Sequence, residues 1–180
     1  MATVVASITD CRSFWRDIVV PDYNDFAAEI DDLRRAFHCA ISLFHLSDWV
    51  YVAYKTYINA NVTFHDKNGI ARPVTDEKTF ANALGELHPD FDLIRGIANS
   101  AKHLVLTNPR PHPAAPNHAA KTRVQSTGFG EGGYGMGPYG GAPRVMVEGP
   151  GCRDREFSNL ATSTSEMWKR LSHQHNWQLT

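Results

Sequence analysis

Arg95, Asn99, Lys102 and His103 bring two permanent cations, an amide and an imidazole into one short stretch. Arg95, Asn99 and His103 follow at i, i+4 and i+8, so a helix would line them up as one polar ridge. Such groups suit phosphoryl chemistry. Cleaving RNA without a metal needs a base for the 2′-hydroxyl, an acid for the leaving 5′-oxygen and a cation for the phosphorane charge. A second pair, His45 and Asp48, stands at i, i+3 on another helical stretch. Asp48 projects to within about 20° of the centre of an apolar stripe, which predicts a buried carboxylate in need of a donor. Lys102 or His103 is the expected donor, with His45 as a second contact. The plainer use of the same residues is an interhelical polar cluster that fixes the register of a bundle. His45, Asp48 and His103 could also supply three metal ligands, but no H-E-x-x-H or paired E-x-x-H is present, so neither metal nor cofactor is expected.

These residues must be positioned by helices. Asn24 to Lys55 runs without Gly or Pro, and Phe26, Ile30, Leu33, Phe37, Ile41, Phe44 and Val52 recur at helical spacing. A helix of that length would exceed what a small domain needs, so a kink or break fits the stretch. Before it, Thr9 to Val20 reads as a short helix ended by Pro21. After it, Asn59 to Thr75 carries the turn signal Lys67-Asn68-Gly69 and reads as a loop or small hairpin. Asp76 can cap a helix through Leu87, His88-Pro89-Asp90 closes it, and Phe91 to Leu106 forms the helix of the polar ridge. The expected core sets Phe37, Ile41, Phe44 and Trp49 against Ile94, Ile97 and Ala101.

The remaining chain changes character. Residues 107–121 are rich in Pro and read as an extended connection; Gly128 to Gly151 then holds ten of the thirteen glycines. Its flanks carry β-formers, which predicts a Gly-rich β-hairpin within 122–157 and a third short strand near Phe157. Gly128, Gly130 and Gly133 match G-x-G-x-x-G, yet no helix follows at the distance a dinucleotide site needs and the Walker lysine is missing. Helical spacing resumes over residues 158–175. The expectation is therefore a single, mainly α domain: a helical body (9–106) of about four or five helices, with a small antiparallel β-hairpin insertion before the C-terminal helix. A net charge of -1 offers no global field for nucleic acid or anionic membrane. Cys11, Cys39 and Cys152 are odd in number and widely spaced, arguing for reduced thiols. No stretch approaches the roughly 18 apolar residues of a membrane span, so a soluble, cytoplasmic protein without membrane contact is expected.

The segment from Arg95 to His103 resembles the Arg-x4–6-His motif of HEPN domains, here with seven intervening residues. HEPN domains are helical bundles often found as ribonucleases of toxin and defence systems, commonly active as dimers. The resemblance spans residues 24–106 and implies His103 as the family's histidine, Arg95 as its arginine, and RNA as the substrate. Two functions thus stand side by side. One is a non-enzymatic interaction or accessory module that engages a protein partner or self-associates. The other is a metal-independent endoribonuclease using Arg95 and His103.

Overall fold

The computed structural model describes residues 7–102, 118–126, 142–148 and 154–179. Helical structure dominates, with a two-stranded and a three-stranded antiparallel sheet. The first rod comprises α1 (Cys11–Phe14), a π-helical segment (Trp15–Val19) and α2 (Val20–Ala28). Asp10 caps it: its carboxylate accepts from Ser13 N–H, and the Ser13 side chain answers at the Asp10 backbone. Pro21 does not end this rod; it occupies the first turn of α2. The π segment explains the difference. Val20 N–H donates to Trp15 O, five residues back, and this wider turn relieves the clash that Pro imposes on an α-helix.

The long stretch predicted over 24–55 is broken at Glu29, which leaves helical geometry (φ -142, ψ 81). Asp32 then caps α3 (Leu33–Asn61) by accepting from Arg35 N–H at 3.0 Å. Arg35 reaches back to the Asp25 carbonyl at 2.9 Å and to Glu29 at 3.2 Å, tying the turn. α3 departs from helical geometry once, at Tyr54 (φ -121, ψ 23).

β1 (Thr63–His65) and β2 (Ala71–Pro73) form the predicted small hairpin. Asp66 organises its turn by accepting from the backbone of Asn68 and Ile70, and Gly69 takes the left-handed φ of 73 that the turn requires. Asp76 caps α4 (Glu77–Leu87), as its sequence predicts, and Thr79 turns the cap into a capping box. α5 (Pro89–Lys102) follows after one residue and packs among α3, α4 and α6 (Phe157–His175). Phe91, Leu93, Ile94, Ile97 and Ala98 are all buried, so α5 is the central helix.

The expected α3 packing is corrected. Its buried face is Ala36, Cys39, Ala40, Leu43, Leu46, Ser47, Val50 and Tyr51, while Phe37, Ile41, Phe44 and Trp49 are only half-buried and Ala101 is exposed. The true face lies about a third of a turn from the stripe of large residues. Small side chains let α3 approach its neighbours closely, and the aromatics wedge in at the margins: Phe14 stacks on Trp49 (5.0 Å) and Phe44 meets Phe91 (6.1 Å). From across the molecule, the Trp168 indole of α6 donates to the Leu43 carbonyl at 3.1 Å.

β3 (Thr122–Gln125), β4 (Arg144–Glu148) and β5 (Asp154–Glu156) form the second sheet, in the order β3-β4-β5. The flanks of the Gly-rich stretch therefore pair as strands. The tip, residues 127–141, lies outside the described residues, as do Cys152 and most of the Pro-rich connection. Val145 and Val147 point into the core, whereas Arg144–Glu156, Arg123–Asp154 and Lys121–Glu148 pair on and around the other face. Ile30 O, freed at the α2–α3 turn, accepts from Val145 N–H at 3.1 Å and fastens the sheet to the body. Among the described residues no helix is long and apolar enough to cross a membrane.

Candidate functional site

Arg95 is the most informative of the predicted residues because it is not on an open ridge. Its side chain is 7% exposed and lies 2.7 Å from the Asp92 carboxylate, one turn earlier, which is 2% exposed. Nη1 donates to Asn82 Oδ1 of α4 at 3.0 Å. Asn99 turns its amide onto the carbonyl of Arg95 itself, at 2.7 Å. The cluster is therefore a seam of the α4–α5 hairpin. Gly85 makes the close approach possible, since a Cβ there would lie 3.0 Å from Asp92 Oδ1. Burial lowers the Arg95 pKa from its ordinary value, against the pull of Asp92; the guanidinium is nearly enclosed, and its Nε is buried without a hydrogen-bond partner among the described residues.

His45 and Asp48 meet as their spacing predicts, with the His45 ring nitrogen Nδ1 2.9 Å from Asp48 Oδ2. Burial of Asp48 is the expectation that fails. The two side chains are 39% and 41% exposed, because the face they occupy is the outer margin of α3. A carboxylate there is solvated and needs no second helix to neutralise it. His103 lies outside the described residues, as does the side chain of Lys102, so the cross-helix donor and the metal set His45, Asp48, His103 fall outside them too. Among the described residues no group of three or more His, Cys, Asp or Glu side chains could hold a metal.

A further polar group escaped the sequence reading. At the α4–α5 corner, Asp90 accepts from both terminal nitrogens of Arg155 in β5. Burial opposes its charge, but Arg155 and Ser163 outweigh burial and hold the Asp90 pKa below the ordinary carboxylate value. Beside it, His88 Nδ1 is buried without a hydrogen-bond partner among the described residues. Two signals for these clusters stood in the chain: the i, i+3 spacing of Asp92 and Arg95, and an isolated Gly85 within a helical pattern. The partner Arg155, 65 residues from Asp90, had none.

No family model, curated protein or solved structure matches the chain.

Proposed function

We propose that the protein is a non-enzymatic interaction module that presents the outer margin of α3 to a protein partner, a second copy of itself being the first to test. The carrying observation is the margin of α3 that the core covers only in part: Phe37, Ile41 and Phe44 are half-buried along it, and Val52 on the same stripe is 68% exposed. His45 and Asp48 lie within this stripe, so apolar contact and directional hydrogen bonding are offered together. The engaged, buried state of Arg95 weighs against the alternative, a HEPN-like ribonuclease, because a phosphate would have to displace Asp92 from the middle of a helix pair.

Sedimentation equilibrium over a wide concentration range, with Val52→Asp as the control, tests the reading. The expected outcome is association that Val52→Asp abolishes while the circular dichroism melt stays unchanged. Association indifferent to Val52→Asp, or a monomer at every concentration, rejects the self-associating form. Metal-free cleavage of labelled RNA that His103→Ala abolishes would favour the ribonuclease instead.

A further inference from the structure

His88 joins two helices with one peptide unit. Its N–H donates to Leu84 O at 2.8 Å, closing α4, and its carbonyl accepts from Phe91 N–H at 3.0 Å, opening α5. Its ring is thereby held at the α4–α5 corner with a buried, unpartnered Nδ1. The charged groups acting on it among the described residues are Asp90 of α5 and Arg170 of α6, with Arg155 of β5 already bound to Asp90. Asp90 thus answers both Arg155 and the His88 ring, while Arg170 acts on the ring. The partially positive N-terminus of α5 adds to the disfavour of a third cation.

We propose that His88 is an acid-sensitive latch: on taking a proton it competes with Arg155 for Asp90 and loosens β5 from the α4–α5 corner. While the ring is neutral, Asp90 belongs to Arg155, and that ion pair ties the three-stranded sheet to the central helix. Protonation would turn the buried, unpartnered Nδ1 into an N–H donor, and Asp90, two residues on at the start of α5, is the carboxylate among the described groups that act on the ring. Either Asp90 turns to it or the corner opens to water. Both outcomes weaken the tie to β5.

The direction of its pKa agrees with this geometry. Burial holds His88 below the ordinary histidine value, Asp90 pulls it back in part, and Arg170 pushes it further down. A group with a lowered folded pKa stabilises the fold above its unfolded value, about 6.5, and that stability is lost as pH falls through the folded value.

Hydrogen exchange on the full chain between about pH 7.5 and 5.5, corrected for the intrinsic pH dependence, reads the latch directly. Protection of the amides in β5 and the first turn of α5 should fall on acidification, by up to about tenfold per pH unit, ahead of the middle of α3. His88→Gln should flatten that dependence, and Asp90→Asn should lower protection at every pH. The proposal is overturned if wild-type β5 protection is flat with pH, or if His88→Gln loses it as the wild type does. Should the glutamine variant fail to fold, the imidazole C2 proton of His88 in the intact protein decides: a midpoint at or above about 6.5 defeats the latch.

Discussion

Two acid–base pairs of the same i, i+3 spacing behave oppositely because of where they sit. Asp92–Arg95 is almost wholly enclosed and His45–Asp48 is not. Asp92→Ala should therefore destabilise by roughly 3–5 kcal/mol in chemical denaturation, because it strands a buried guanidinium. Asp48→Asn should change stability by no more than about 0.5 kcal/mol. Comparable losses from both would contradict the burial described. Cys39 gives a check of another kind. It is completely buried, and burial drives its thiol pKa far upward, so a thiol reagent should label it only after unfolding. The spacing of Asp92 and Arg95 was legible in the chain, but their enclosure was not. α5 is surrounded by other helices, and a polar side chain on a surrounded helix looks in sequence like one on a solvated face.

Asp10 and Asp76 could be read as caps because a cap is a local bond, whereas a packing face is a collective choice; the end of α2 at Ala28 and the cap at Asp32, inside the stretch read as one helix over 24–55, could not. Asp76 caps α4 as its place before the helix suggests, and Thr79 completes a capping box; Asp76→Ala should cost about 1 kcal/mol of stability. The hairpin turn at Gly69 and the strand flanks at 122–125 and 144–148 were legible for the same local reason. On α3 the largest residues set the visible period, yet Ala36, Ala40 and Ser47 occupy the tightest contact, displacing the buried face. Pro21 likewise read as a stop because a π turn leaves no mark in composition. Gly85→Ala tests the packing of α4 by its sign. Alanine in a helix interior ordinarily gains about 1 kcal/mol over glycine, but here the added methyl would press on Asp92 Oδ1 at 3.0 Å, and a lower melting temperature is expected.

At the scale of the molecule, α3 and α5 supply a core that α6 completes. Trp168 is fully buried and donates to Leu43 O, so Trp168→Phe should lose that hydrogen bond and some packing, about 1–2 kcal/mol by thermal or urea unfolding. Two mainly local ingredients, helix periodicity and strand alternation, made the mainly α class with its small sheets readable, whereas the pairing of α3 with α6 depends on contacts no window of sequence contains. The 125 residues between Leu43 and Trp168 also order events in time. A ribosome adding about 5–20 residues per second needs roughly 6–25 s to pass from one to the other. Throughout that interval the flank of α3 destined for Trp168 has no permanent cover. The nascent chain is thus most vulnerable to premature association after α3 has emerged and before α6 has, a window that slower synthesis would lengthen.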